Sequence, residues 1–207
     1  MKNASKNNIQ NLILDSIENA AAEVCENSGV NIRKMPEYYI NVVIAHDLCE
    51  AFPSLGFRLE LPVKDLLDKF GIVSSKSPLE LRDGGKFDIV LHSRKSKKIR
   101  HVIEVKRSLN KLQIRKDALR IAALAHENHG SRRLETGYIV AIRRLKNSCK
   151  SRSLEELIDD RIDMIKSVTN NMDVSARYAL FEPGEVGFSS EERLGIIVFC
   201  LQKNNAL

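Results

Sequence analysis

The feature that most constrains this chain is a pair of alternating stretches, residues 86–91 and 99–106, joined by a polar and basic connection. Successive side chains of a β-strand point to opposite faces, so alternation of this kind predicts a two-stranded ribbon. The apolar face collects Phe87, Ile89, Leu91, Ile99, Ile103 and Val105, with His101 as its one misfit. The charged face collects Lys86, Asp88, His92, Arg100, Glu104 and Lys106, interrupted only by Val90 and Val102. The pattern therefore predicts a hairpin with one dry face and one solvated face.

The same pattern fixes how the two strands align. If the turn is centred near Ser96, Asp88 lies opposite Glu104 and Lys86 lies opposite Lys106. A shift by one residue would send every side chain to the other face, so this register is strongly favoured. Two acids and an amine are then expected to converge on the solvated side of the ribbon.

The rest of the chain divides into further helical and extended stretches. Apolar periodicity and end signals predict helices over residues 9–27, 36–51, 64–70, from a cap at Ser108 or Asn110 to 126, and 153–170. Strands are predicted over residues 57–63, 137–145, 176–181 and 194–201, and a loop over 72–83. This order predicts an α/β protein with a mixed central sheet flanked by helices.

Charge is concentrated rather than spread. The 207 residues carry a net charge of +6, but residues 94–120 alone hold eleven Lys or Arg against two acids. A basic surface around a carboxylate pair favours a polyanionic partner, whereas a charge run taken alone is equally typical of a solvated surface. The five histidines show no metal-ligand spacing, and His46 lies in the middle of a predicted helix.

The sequence shows neither a membrane-spanning segment nor a cysteine pattern typical of a metal site. No stretch approaches the roughly 20 apolar residues that span a bilayer, and the polar start lacks an apolar signal core, so we expect a cytoplasmic protein without a membrane partner. The four cysteines, Cys25, Cys49, Cys149 and Cys200, match no metal-ligand spacing and are predicted to be free thiols.

A resemblance to a known protein family rests on two groups of residues. These are Asp88 at the start of the middle strand and Glu104-Val105-Lys106 at the end of the third. The order helix, strand, strand, strand, helix, strand over residues 36–145 resembles the PD-(D/E)XK nuclease superfamily, which has the restriction-endonuclease-like fold (αβββαβ). One departure is Phe87, which stands where the name-giving proline would be. The whole chain, residues 1–207, is then expected to form one domain, with residues 1–35 as an N-terminal helix and 146–207 as a helix-strand-strand extension.

The resemblance implies a chemistry for these residues. Asp88, Glu104 and the backbone carbonyl of Val105 would hold Mg²⁺, for which Mn²⁺ could substitute, because these ions prefer oxygen ligands. Lys106 would orient or deprotonate the attacking water and stabilise charge in the transition state. The products would carry a 5′-phosphate and a 3′-hydroxyl. A cross-strand salt bridge on a solvated sheet is the duller interpretation of the same three residues.

A further carboxylate is expected from the first helix of the core. Glu37 is the preferred residue, Glu50 is the alternative on the same helix, and Glu60 on the next strand is a third option expected at the surface. A Glu in a first helical turn is also favoured by the helix dipole alone. Backbone phosphates of a nucleic acid are expected to be contacted by Lys86, Gln113, Arg115 and Lys116.

The sequence therefore predicts a Mg²⁺-dependent endonuclease acting on DNA, with RNA left open as a substrate. Double-strand cutting would favour a homodimer, since one active site attacks one strand. The alternatives are a nucleic-acid-binding or regulatory protein that keeps the fold without cutting, and a subunit active only within a larger complex.

Overall fold

Five α-helices and six β-strands form within the residues that the computed structural model describes, which are 4–70, 81, 85–127, 134–146 and 152–204. The helices are α1 (Lys6–Ser28), α2 (Glu37–Ala51), α3 (Val63–Phe70), α4 (Lys111–His126) and α5 (Leu154–Val168). The strands are β1 (Leu55–Pro62), β2 (Lys86–Ser93), β3 (Ile99–Lys106), β4 (Thr136–Lys146), β5 (Met172–Leu180) and β6 (Glu192–Lys203). A short 3₁₀ turn, Ile32–Lys34, precedes α2. The predicted loop over 72–83 lies outside the described residues except for Leu81.

All six strands belong to one mixed sheet in the order β1-β2-β3-β4-β6-β5. Only the β3–β4 pair is parallel, and α4 provides its crossover; the other four pairs are antiparallel. A parallel pair needs a crossover of this kind, whereas antiparallel neighbours can be joined by short turns. The predicted α/β class with a mixed sheet between helices is confirmed.

The hairpin register is confirmed where the ladder is regular. Ile89 pairs with Ile103, Val90 with Val102, and Leu91 with His101, which is the alignment that places Asp88 level with Glu104. The register shifts by one residue beyond Leu91, where a bulge lies next to the turn. The bulge is confined to the turn end, so it leaves the opposite end of the ribbon, with its charged residues, unaffected.

The prediction of one dry and one solvated face is wrong, because helices cover both faces of the ribbon. One apolar layer joins α1 and α2 to residues of β2 and β3 that include Ile89, Leu91, Ile103 and Val105. The other joins α3, α4 and α5 to residues that include Phe87, Val90, Ile99 and Val102. The buried pair Val90 and Val102, which interrupts the predicted charged face, was the sign of this second layer. In sheets with helices on both faces, strands read as near-continuous apolar runs.

Helix ends follow their local chemistry. Asn110 caps the N-terminus of α4, because its side-chain oxygen accepts hydrogen bonds from the backbone N–H groups of Leu112 and Gln113. Ser153 and Glu156 form a reciprocal capping box at the start of α5. Gly29 ends α1 in the left-handed conformation at φ 68°, which glycine adopts without strain.

A glycine sets the distance between α4 and the sheet. A Cβ on Gly137 in β4 would lie 2.2 Å from Cγ2 of Ile121, closer than any side chain could tolerate. Helix α4 therefore packs directly on the β4 backbone, and its neighbouring side chains are pressed against β3. This approach positions the charged residues described below.

Smaller expectations can also be compared with the structure. Cys25, Cys49 and Cys200 are free thiols, and Cys149 lies outside the described residues. Among the residues that the structure describes, no helix combines the length and the apolar character needed to cross a bilayer.

His101 is buried on β3 as its place in the apolar pattern suggested. Its Nδ1 lies 2.6 Å from the hydroxyl oxygen of Thr136, which in turn donates to the hydroxyl of Tyr138 at 3.0 Å. Burial lowers the pKa of His101 to about 4, and the carboxylate of Glu135, 3.8 Å from Nε2, offsets only part of this effect. The imidazole is therefore neutral in the folded protein at neutral pH.

Replacing His101 by Gln should reduce the amount of folding free energy that the protein loses when the pH falls from about 7 to about 4.5. The unfolded chain takes up a proton at His101 near pH 6.5, whereas the folded protein does so only near pH 4. Acid therefore favours the unfolded chain, and up to roughly 3 kcal/mol is lost through this residue across that window. Urea denaturation at pH 7 and pH 4.5 should show a smaller loss for His101→Gln than for wild type. The control is His92→Gln, and equal losses in wild type and His101→Gln would contradict the assignment.

Candidate active site

The side chains at the ends of β2 and β3 converge on one ammonium group. Nζ of Lys106 lies 3.0 Å from Oε2 of Glu104 and 3.6 Å from Oδ2 of Asp88. A third acid, Asp117 of α4, places its Oδ2 3.3 Å from the same nitrogen. The structure thus brings together the three residues that the sequence singled out and adds one that it did not.

Glu104 does not lie on a solvated face, which corrects the sequence-based picture of this residue. Its side chain is 2% exposed, whereas those of Asp88 and Lys106 are 19% and 18% exposed. The cause is α4, which covers this side of β3. The cluster is therefore half open, with Asp88 and Lys106 at its mouth and Glu104 at its base.

Arg120 of α4 holds Glu104 from the inner side. Its guanidinium contacts Oε1 of Glu104, donates to the backbone carbonyl of Lys86 at 2.6 Å, and lies 4.5 Å from the ring centroid of Phe87. A planar guanidinium suits this combination of carboxylate pairing and stacking on an aromatic face. Phe87, which departs from the proline of the resemblance, thus forms the surface on which Arg120 rests.

Asp117 was not identified as a site residue from the sequence, although a signal was present. It falls inside the apolar stripe of α4, between Ile114, Ala118 and Ile121, where a buried helix face would not normally carry an acid. Its Oδ2 is buried and, among the described residues, accepts no hydrogen bond. A buried carboxylate oxygen with only an ion-pair contact has capacity for a further ligand.

Asp88 is oriented by the backbone of the neighbouring strand. Its Oδ2 accepts a hydrogen bond of 2.7 Å from the N–H of Val105. This bond fixes the carboxylate beside Glu104. The expected role of the Val105 carbonyl as a metal ligand stays a prediction.

The cluster holds more acids than cations. Burial raises the pKa of Glu104 and of Asp117, whereas the positive charges of Lys106 and Arg120 lower both pKa values and so favour the ionised carboxylates. The pKa of Lys106 is raised because its acidic neighbours, led by Glu104, outweigh its burial, so the amine stays protonated. Three carboxylates contact Lys106, and the charge of Lys106 also acts on Glu37. Carboxylate oxygens are ligands that a divalent cation prefers, and a cation would relieve their mutual repulsion. In this ammonium-filled arrangement, however, ligand oxygens of Asp88, Glu104 and Asp117 do not all lie within 4.8 Å of one another.

Glu37, at the first turn of α2, belongs to the same electrostatic environment. Burial raises the pKa of Glu37, the negative charge of Asp88 raises it further, and Lys106 lowers it. The alternative, Glu50, is exposed at the other end of the helix and lies 4.0 Å from His46. Glu60 is also exposed and pairs with Lys86 at 3.2 Å. Of the three acids considered, Glu37 is thus the one that shares the field of Asp88 and Lys106.

The residues predicted to contact a nucleic acid lie at the surface. Gln113, Arg115 and Lys116 are exposed on the first two turns of α4, with the N–H of Gln113 bonded to the cap residue Asn110. Lys86 is exposed at the start of β2. Their contacts with nucleic acid stay a prediction.

A second group with metal-ligand chemistry lies on the exposed side of α2. Ligand atoms of His46, Asp47 and Glu50 fall within 4.8 Å of one another, which the sequence did not suggest for His46. Exposed groups of this kind are common in the absence of metal, and they make contacts among themselves. Among the described residues, no hydrogen bond or ion pair joins this group to the cluster around Lys106.

The chain was compared with protein-family models, with curated proteins and with solved structures, and none of the three comparisons found a match.

Removing the Arg120 guanidinium should leave the Glu104 carboxylate without its inner ion-pair partner. We expect Arg120→Met to lower the free energy of unfolding by roughly 3–5 kcal/mol, because it leaves a buried carboxylate without its inner partner. Adding Glu104→Gln to that variant removes the unpaired charge, so the double variant should lose less than the sum of the single changes.

Urea denaturation at neutral pH measures all four proteins of this cycle. Arg115→Met is the matched control, since Arg115 is exposed on the same helix and its loss should change stability by no more than about 0.5 kcal/mol. An Arg120→Met protein as stable as this control would mean that the guanidinium does not hold Glu104.

Proposed function

We propose that this chain is a metal-dependent nuclease of the PD-(D/E)XK type, which hydrolyses phosphodiester bonds of DNA with Asp88, Glu104 and Lys106. The observation that carries the proposal is the convergence of three carboxylates on the Lys106 ammonium in a half-buried cluster. A purely structural salt bridge of this burial is weak support for stability, because the desolvation of its charges offsets much of their attraction. Perturbed acids gathered beside an opening are more typical of a functional site.

The topology supports the same proposal. The segment α2-β1-β2-β3-α4-β4 has the element order of the restriction-endonuclease-like core, with α3 inserted after β1. Its strands pair as antiparallel neighbours up to β3 and as parallel neighbours from β3 to β4. We propose that the candidate residues on the second and third strands correspond to the active-site positions of that core.

Asp88 and Glu104, with Asp117 and Glu37 close by, are the residues that would hold Mg²⁺, and the Val105 carbonyl is a further proposed ligand. When bound, the metal supplies an activated water and neutralises negative charge on the phosphate. Asp88 keeps one oxygen on the N–H of Val105, so its orientation does not depend on the metal. Glu104 is kept in place by Arg120 in the same way.

Lys106 is proposed to act as an ammonium rather than as a base. Its neighbouring acids raise the pKa of the amine, so it remains protonated at neutral pH. A protonated amine at the mouth of the cluster can donate hydrogen bonds to the attacking water and to a phosphate oxygen. Proton removal from that water would then be the task of another group or of solvent.

One observation favours the alternative of a nucleic-acid-binding or regulatory protein that does not cut. Glu104 has both oxygens engaged, Oε1 by Arg120 and Oε2 by Lys106, and its side chain is 2% exposed. A metal ligand needs a free lone pair on an accessible oxygen. Under the nuclease proposal, Lys106 must move away from Oε2 when metal binds.

Incubation of the purified chain with supercoiled plasmid separates the two functions. We expect nicking with Mg²⁺ or Mn²⁺ and none with EDTA, because the carboxylates need the cation to approach a phosphate. Lys106→Ala should reduce the rate about 100-fold or more. Lys166→Ala is the control, since Lys166 is exposed on α5. Binding that weakens steeply with salt but never leads to metal-dependent nicking would establish the non-cutting alternative.

Glu37 and Glu50 offer a matched comparison within one helix. Glu37→Gln should lower the nicking rate at limiting Mg²⁺ by roughly 10-fold or more, as expected for a group that supports metal ligands. Glu50→Gln, at the exposed end of α2, should stay within about twofold of wild type. A Mg²⁺ titration of the nicking rate measures both variants, and equal effects would remove Glu37 from the site.

A further inference from the structure

A second site lies beside the cluster, at the carboxyl ends of the parallel strands β3 and β4. It is an open cleft of about 360 Å³, lined by Arg33, Arg107, Ser108, Leu109, Asn110, Arg143 and Arg144. Four of its seven lining residues are arginines, and they come from three separate parts of the chain. Parallel pairing of β3 with β4 brings two of these parts together, and the 3₁₀ turn before α2 contributes Arg33.

The positive charge in this cleft is only partly neutralised. Arg144 pairs with Glu192 at 3.2 Å, and the negative charge of Glu192 also acts on Arg33. Burial lowers the pKa of Arg33, and the like charges of Arg144 and Arg107 lower it further. Guanidiniums held close enough to repel one another stabilise an anion placed between them.

The walls of the cleft are fixed by buried contacts. Nη2 of Arg33 donates to the backbone carbonyl of Arg107 at 3.1 Å. Arg161, which is 6% exposed, donates to the carbonyl of Leu109 at 3.0 and 3.2 Å and so anchors the opposite wall. The positive end of the 16-residue helix α4 begins at this wall, after the cap residue Asn110. The cleft is therefore preorganised for an anion.

We propose that the arginine cleft binds a dianionic phosphate monoester. Guanidinium groups match phosphate oxygens with paired hydrogen bonds, and several of them around one cleft suit a dianion better than a monoanionic diester. The volume falls within the range of about 300–1,000 Å³ typical of small-molecule sites, so a nucleotide with its terminal phosphate fits. Two sources share this chemistry, the phosphorylated end of a nucleic-acid strand and a free nucleoside monophosphate.

Of these two ligands, the phosphorylated strand end would connect the cleft with the cluster around Lys106. This connection rests on the proposed nuclease function. The positive charges of both Lys106 and Arg107 act on the Glu37 carboxylate. A phosphate held by Arg107 would therefore share the electrostatic environment of the proposed cleavage site. The nuclease would then favour substrates with a free phosphorylated end and would cut close to it.

Binding of internally labelled oligonucleotides, whose two ends stay free of label, to the full chain tests the proposal in EDTA, where no cleavage occurs. Fluorescence anisotropy at fixed salt compares the same short strand with a 5′-phosphate, a 3′-phosphate or two hydroxyl ends. One of the phosphorylated strands should bind roughly 10-fold more tightly than the hydroxyl strand, as expected for new charge-assisted hydrogen bonds. Deoxyadenosine monophosphate should compete with it, and deoxyadenosine should not.

Variants assign the preference to the cleft. Arg143→Gln combined with Arg144→Gln should reduce the preference for the phosphorylated end to less than about twofold, in addition to any loss of affinity that all three strands share. If the double variant has a lower melting temperature than wild type, Arg144→Gln alone replaces it in the binding measurement, because the Arg144 side chain is half exposed. Arg58→Gln is the control, since Arg58 is exposed on the edge strand β1 and should retain the preference.

The outcomes separate this proposal from the nuclease proposal. Binding of the monophosphate without any strand-end preference supports the cleft with a free nucleotide as its ligand. Equal binding of all three strands together with no competition by the monophosphate overturns the proposal, as does a preference that persists in the double variant. A preference that disappears in the double variant, in a protein that never nicks plasmid, supports the cleft and contradicts only the nuclease function.

Discussion

The ion cluster around Lys106 is the interaction on which the arrangement of this protein depends. Three carboxylates lie within 3.0–3.6 Å of one ammonium, and the innermost of them, Glu104, is also held by Arg120. Charges taken out of water at this depth are tolerated only when each has partners of opposite sign. Strand β3 and helix α4 must therefore dock in one relative position, because any other would leave a buried charge unpaired.

Packing and electrostatics meet at the contact between α4 and β4. The absence of a side chain at Gly137 lets Ile121 reach the β4 backbone, and Arg120 is the residue next to Ile121. A helix standing further from the sheet could not bring the guanidinium onto Glu104 and the Phe87 ring together. The apolar contact thus provides the free energy, since burial of hydrophobic side chains dominates folding, and the ion cluster fixes the position.

Local sequence patterns predicted the hairpin and the helix starts. They failed to predict which strand residues are buried under a helix. Alternation gave the hairpin register, and the cap signals at Asn110 and Ser153 gave the starts of two helices. What alternation cannot show is which helix lies over a strand face, so Glu104 was expected in solvent and Arg120 was counted only as surface charge. The acid at a core position of α4, Asp117, was a readable sign of a buried polar site. The arginine cleft had no local sign, because Arg33, Arg107 and Arg143 meet only through the parallel pairing of β3 with β4 and the approach of the 3₁₀ turn.

The two neighbouring sites have opposite charge, and this has a consequence for how they would work together. The cluster holds a surplus of carboxylates, whereas the cleft that begins at Arg107 holds a surplus of guanidiniums. A phosphate chain attracted to the cleft is repelled by the cluster as long as its acids are ionised without a cation. Under the proposed nuclease function, a divalent cation between those acids would remove the repulsion, and metal and polyanion would then each favour binding of the other by the same free energy. Under that proposal, metal would control whether a nucleic-acid strand can enter the cluster at all, before any bond is broken.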